Sequence, residues 1–167
     1  GAVSKHHGET IPVGAPGLDF TFRQPLGVCA LIVPWNFPMM IAAWKMAPAL
    51  ACGNTVVLKP ASYTPLPALL LGRVCTEAGI PDGVVNVITG PGGVVGSALA
   101  SHLGVRKISF TGETTTGAHI TKVAADSIKR VSLELGGKSP NIIFDDADLD
   151  LCVEKSGWSV FSNTGQD

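Results

Sequence analysis

Residues 26–59 read LGVCALIVPWNFPMMIAAWKMAPALACGNTVVLK, and the breaks in this stretch decide the fold. An apolar run over 26–33 stops at Pro34. Asn36 then sits between Pro34 and Pro38, flanked by Trp35 and Phe37. A second apolar run over 39–51 has the length of a helix, and Gly53 separates it from Thr, Val, Val and Leu at 55–58. A hydropathy window would take much of this as one membrane span. Pro34, Pro38 and Pro48 interrupt it, however, and Asn36 and Lys45 lie inside it, so a continuous lipid-facing helix is not expected. Strand, break, buried helix and strand is the better reading, and it makes a βαβ unit.

The same alternation continues downstream. Residues 65–78 read as a helix with Pro65 in its first turn and Gly79 as its C-terminal cap. Strands are expected over 84–88, 106–110 and 130–134, with helices over 94–101 and 115–127. The expected class is α/β: a Rossmann-like parallel sheet with helices on both faces. After Gly136-Gly137 the pattern restarts, with a strand over 141–144 and a helix over 149–161 behind an acidic first turn. That restart reads as the beginning of a second α/β domain. Upstream, residues 8–24 carry Gly, Pro and alternating Phe20, Phe22 and Arg23, and read as an extended hairpin or arm.

Composition narrows the function classes. The chain has 167 residues, 46% hydrophobic and only 15% charged, with a net charge of −1. The average charged fraction is about 25%, so part of this surface is expected to lie under more chain or another subunit. Nothing in the charge favours nucleic acid or an anionic membrane. Cys29, Cys52, Cys75 and Cys152 are widely spaced without a CxxC, which fits free, buried thiols in a reducing cytosol. His6, His7, His102 and His119 lack metal-ligand spacing and are assigned to the surface. Asp146-x-Asp148-x-Asp150 looks like the start of a calcium loop. Leu151 stands where that loop needs Gly and Gly157 where it needs Glu, so these acids fit a helix first turn better. No metal is expected.

In an open α/β sheet, ligands sit beyond the carboxyl ends of the strands. Pro34-Trp35-Asn36-Phe37-Pro38, Lys59-Pro60-Ala61-Ser62, the turn from Thr111 to Gly117, and Glu134 all fall at such ends. Asn36 has two readings: an amide donor for a developing oxyanion, worth about 3 kcal/mol, or a turn residue bonding its own backbone. Glu134 closes an apolar strand. It reads either as a base whose carboxyl is raised by desolvation or as the partner of Lys138. Lys59 either reaches ribose hydroxyls or phosphate, or is simply solvated. The glycine-rich loop at 90–96 departs from GxGxxG and is a weak signal by itself.

Taken together and in this order, Pro34-Trp35-Asn36-Phe37-Pro38, Phe110-Thr111-Gly112, Leu133-Glu134-Leu135-Gly136-Gly137-Lys138-Ser139-Pro140 and Asn163-Thr164-Gly165-Gln166 resemble the aldehyde dehydrogenase superfamily. The resemblance runs from about Gly8 to Asp167. It implies oxidation of an aldehyde to a carboxylic acid with NAD or NADP. A cysteine thiolate adds to the carbonyl, Asn36 donates to the oxyanion, hydride passes to the cofactor, and Glu134 activates water to release the acid. Trp35, Lys59, Ser62, Gly112, Glu113, Gly117 and Leu135 are then assigned to the cofactor cleft. Lys45 is a weaker candidate, tuning the water near Glu134.

Two departures from the commoner pattern matter. Many NAD-preferring members carry Glu where this chain has Ser62, so NADP acceptance is expected. Ser is frequent where Glu113 stands, which argues against a binding role for that side chain. The resemblance also implies an arm over 1–24 that pairs subunits into a dimer or tetramer. An NAD(P)-binding domain over 25–136 and the start of a catalytic domain over 137–167 would follow. The family's nucleophilic cysteine would come after Asp167, and none of the four cysteines present stands in its motif. The chain is therefore expected to be an inactive piece of a cytoplasmic enzyme. The alternatives are a non-catalytic nucleotide-binding module or a pseudoenzyme.

Overall fold

The computed structural model describes residues 3–14 and 16–166. By internal contacts the chain divides into two units, Gly1–Leu135 and Gly136–Asp167.

The first unit opens with a two-stranded antiparallel pair, β1 (Thr10–Ile11) and β2 (Asp19–Phe20), with Thr10 opposite Phe20. The hairpin reading of this region holds. Its main body is a five-stranded sheet of β3 (Val28–Ile32), β4 (Thr55–Lys59), β5 (Val85–Val87), β6 (Val105–Gly112) and β7 (Arg130–Leu135). All neighbouring pairs in it are parallel, in the order β5-β4-β3-β6-β7. The chain winds outward from β3 through β4 to β5, returns to the other side of β3 as β6, and winds outward again to β7. The switch in winding direction lies between β3 and β6.

Alternation along β3 builds two cores. Cys29, Leu31 and Val33 face one way, where they pack with Ile41, Ala42 and Met46 of α1 (Pro38–Ala51) and Ala68 and Cys75 of α2 (Leu66–Glu77). Ala30 and Ile32 face the other way, toward Ala100 of α3 (Ser97–Ser101) and Ile120 and Ala124 of α4 (Thr114–Ala125). A strand covered on both faces needs a near-continuous apolar run, which is what residues 28–33 supply. Helix α1, at 14 residues, is about 21 Å long, short of the roughly 30 Å of a bilayer core. Among the described residues no helix is long and apolar enough to cross a membrane.

Local chemistry sets the boundaries. Helix α1 starts with Pro38 in its first turn, where the missing N–H costs nothing. Helix α2 ends as expected: Gly79 has φ +84°, its N–H donates to Thr76 O at 3.0 Å, and Ile80 N–H donates to Cys75 O at 3.0 Å. The helix expected over 94–101 forms only from Ser97. Before it, Gly92–Gly96 make a wider π-type turn in which Pro91 O accepts from both Val94 N and Val95 N. Glycines and adjacent valines are poor α-formers, and the wider turn accommodates them.

In the second unit, α5 (Leu149–Phe161) has the expected limits, and Asp148 caps it by accepting from Leu151 N at 3.1 Å. The strand expected over 141–144 does not form. Ile142, Ile143 and Phe144 are exposed, and no strand among the described residues pairs with them. An apolar run without a neighbour has no ladder to satisfy its backbone groups.

One further expectation changes. All four cysteines are free, but only Cys29 and Cys75 are buried. Cys52 is exposed because it caps the end of α1, where that helix leaves the core. The histidines lie on the surface as expected, and no cluster of metal-ligating side chains occurs among the described residues.

Candidate active site

The sequence-predicted residues of the first unit gather at the carboxyl edge of the sheet, and strand register aligns them. Ile32 at the end of β3 is paired with both Lys59 and Phe110. Phe110 is paired with Leu133, Thr111 with Glu134 and Gly112 with Leu135. Lys59 and Glu134 are thus three strand spacings apart, on the order of 15 Å. Between them lies the switch from β3 to β6, the place where open α/β sheets form a ligand crevice.

Trp35 and Asn36 lie in the bend between β3 and α1, on one side of that switch. Val33 N–H donates to the Lys59 carbonyl at 3.1 Å, which ties the start of the bend to the end of β4. Trp35 is 49% exposed and offers a free indole face, while Asn36 is half-buried.

Lys59 departs from the solvated alternative: only 3% of its surface is exposed. Its Nζ donates to the Pro60 carbonyl at 2.9 Å. Burial pushes its ammonium below the usual lysine range. Ser62 is exposed, and its hydroxyl donates to the Gly90 carbonyl at 3.2 Å, linking the loop after β4 to the loop after β5. Nearby, Thr64 Oγ1 is buried without a hydrogen-bond partner.

On the other side of the switch, Gly112 ends β6 and α4 begins at Thr114. A Cβ at Gly112 would lie 2.7 Å from the Phe110 ring. One at Gly117 would lie 2.6 Å from a Leu135 methyl. Both glycines therefore serve close packing, and Gly117 lets the first turn of α4 sit against Leu135 of β7. Glu113 occupies the position just before α4, is exposed, and makes no capping bond.

Glu134 is exposed, so residues of this chain do not supply the apolar cover that the sequence reading invoked. By alternation with Val131 and Leu133, which join the α3–α4 core, Glu134 and Ser132 face the side of α1. Lys45 of α1 reaches the same side and donates to Ser109 Oγ at 2.9 Å. Burial lowers its ammonium, the Glu134 carboxylate raises it in part, and Lys107 lowers it further.

Asn163, Thr164 and Gly165 belong to the second unit, in the turn after α5. All three take left-handed backbone angles, with φ of 46°, 58° and 73°. For the β-branched Thr164 that is a costly conformation, of the kind found at functional turns. Asp167 lies outside the described residues.

The sequence reading missed Asn54 and Ser109. Asn54 is buried; its Oδ1 accepts from Leu26 N at 2.7 Å and Gly27 N at 3.2 Å, and its Nδ2 donates to Ala49 O at 3.0 Å. The Gly53-Asn54 pair after a helix was a usable turn signal. Ser109 inside an apolar strand was the corresponding one for the site.

Comparison with known proteins agrees with this geometry. The family model "Aldehyde dehydrogenase family" matches residues 1–167. Retinal dehydrogenase 2 of Taeniopygia guttata is 58% identical over 167 residues, covering 99% of this chain and 32% of that protein. The crystal structure of PnpE in complex with nicotinamide adenine dinucleotide is 50% identical with a TM-score of 0.96, covering 99% of this chain and 34% of that one. An E. coli NADP dependent enzyme is 49% identical with a TM-score of 0.95, over 99% and 34% of the two chains. The chain spans about a third of the length of the curated relatives it matches. With a family match over its whole length and this agreement in fold, the chain belongs to the aldehyde dehydrogenase family.

Proposed function

We propose that this chain is part of an NAD(P)-dependent aldehyde dehydrogenase that oxidises an aldehyde to a carboxylic acid. Residues 25–136 form the cofactor-binding domain, 137–167 begin the catalytic domain, and 1–24 contribute to an arm that pairs subunits into a homodimer or homotetramer. The parent enzyme is cytoplasmic. The observation that carries this reading is the convergence of Trp35, Asn36, Lys59, Gly112 and Glu134 along one sheet edge around the β3–β6 switch.

The residues fit a dinucleotide. Lys59 is a buried cation with one protein acceptor for its three N–H groups, which leaves donors for ribose or phosphate oxygens. The α4 N-terminus beyond Gly112 adds a favourable dipole for the pyrophosphate. Trp35 and Leu135 supply apolar walls. Ser62 places no carboxylate beside a 2′-phosphate, so both NAD and NADP are accommodated. When bound, the nicotinamide supplies the hydride acceptor.

Asn36 holds its amide toward the substrate oxygen and stabilises negative charge there. Glu134 takes a proton from the water that releases the acid. The thiol nucleophile is none of the three cysteines in the first unit. Cys29 and Cys75 are buried in the core, and Cys52, at the end of α1 and just before β4, lies at the amino edge of the sheet.

The test is aldehyde-dependent formation of reduced cofactor, followed by absorbance. The full-length protein is expected to turn over with NAD or NADP, and the 167-residue chain is not. Absence of turnover in the full-length protein across aliphatic and aromatic aldehydes would overturn the assignment. Turnover by the 167-residue chain would overturn its inactivity.

A further inference from the structure

The α1-side face of β6 and β7 is polar where a doubly covered sheet is normally apolar. Lys107, Ser109 and Thr111 present this face on β6, and Ser132 and Glu134 on β7. Within it the two ammonium groups are sorted onto separate hydroxyls. Lys45 donates to Ser109 Oγ at 2.9 Å, and Lys107 donates to Ser132 Oγ at 2.5 Å.

We propose that Ser109 is a positioning residue: its hydroxyl accepts the Lys45 ammonium and fixes one positive charge on the sheet face that carries Glu134. The proposal rests on Glu134 acting as the deacylating base. A long lysine side chain is free to collapse onto a carboxylate and tie up the lone pairs needed to deprotonate water. Anchored on Ser109, Lys45 remains within electrostatic reach of the Glu134 carboxylate, which raises its ammonium in part. It does so without occupying the carboxylate. The ammonium also gains an acceptor that favours its charged form against burial and against Lys107. Of the elements packed on α1, strand β3 brings Cys29, Lys59 of β4 leaves the opposite sheet face, and α2 brings the buried Cys75 and the Arg73–Glu77 pair at 3.2 Å; Arg130 shares the β7 face with Ser132 and Glu134.

The experiment uses the full-length enzyme with Ser109→Ala and Ser109→Thr. Competitive acetylation with trace acetic anhydride, quantified at Lys45 by mass spectrometry across pH, reports that one amine. In Ser109→Ala its midpoint is expected to fall by about one pH unit, and in Ser109→Thr to return. The alkaline limb of kcat against pH should shift down in parallel, with KM for the aldehyde unchanged. An unmoved Lys45 midpoint in Ser109→Ala overturns the anchor. A moved midpoint with an unmoved pH–rate profile overturns its link to Glu134. If the wild-type enzyme oxidises no aldehyde, the functional reading fails instead, and the labelling result still decides the anchor.

Discussion

Replacing Lys59 by Met is expected to make the chain more stable. Lys59 is 3% exposed and its ammonium has one protein acceptor, the Pro60 carbonyl at 2.9 Å. Losing that charge-assisted bond costs roughly 1.5–3 kcal/mol. Keeping an ammonium out of water costs several kcal/mol, and the single carbonyl does not recover it. Methionine has similar length and no charge to desolvate. The net gain at neutral pH is expected to be about 1–3 kcal/mol.

The sign is checked by pH. The folded amine is held below its ordinary value of 10.5, so above the folded value the unfolded chain binds more protons. Wild-type stability therefore rises with pH across that window, by at most about 1.4 kcal/mol per unit for one proton. The advantage of Lys59→Met should accordingly be largest at pH 7 and shrink by pH 10. Lys45 behaves similarly in both proteins and cancels. Urea unfolding followed by far-UV circular dichroism at the two pH values measures the difference. A variant less stable at pH 7, or an advantage equal at both pH values, would refute the reasoning. In the full-length enzyme the same change should raise KM for the cofactor, because the donors left over by Pro60 are gone.

Asn54→Ala removes three hydrogen bonds that join the end of α1 to the start of β3. A loss of about 3 kcal/mol is expected in the same urea assay, and a loss under 1 kcal/mol would show that water replaces the side chain. In the full-length enzyme, Glu134→Gln should leave the first turnover intact and slow later ones by roughly 10²–10⁴-fold; rapid mixing should show a burst with little steady state. Ser62→Glu should lower kcat/KM for NADP relative to NAD, and an unchanged ratio would remove Ser62 from cofactor choice.

The central part of this fold is legible because one signal controls it. The apolar run at 28–33 must be covered on both faces, and proline and glycine mark where each strand yields to a helix. Strand order is a different matter. Nothing in the alternation of strands and helices says that β6 returns to the flank of β3, because that choice is made by packing between elements far apart in sequence. The strand expected at 141–144 failed for the same reason: periodicity describes a segment, while a strand needs a partner. Lys59 was named from its place at a strand end, but its burial was not legible, since solvated and buried lysines look alike until the cover is known.

Parallel strands in α/β sheets are apolar on both faces because helices cover both. Strands β3 and β4 obey this rule until Lys59. On β6 and β7 it holds for the α3–α4 side, where Ile108, Phe110, Val131 and Leu133 pack, and fails on the α1 side. There the successive residues are Lys107, Ser109, Thr111, Ser132 and Glu134. A sequence that serves folding alone would place valine or isoleucine at several of these positions. Departures from local rules concentrate where a protein does chemistry, and these coincide with the sheet edge that gathers Asn36, Lys59 and Glu134. The polar face and the strand-end residues are therefore two views of one site, reached first from motif spacing and then from the failure of a packing rule.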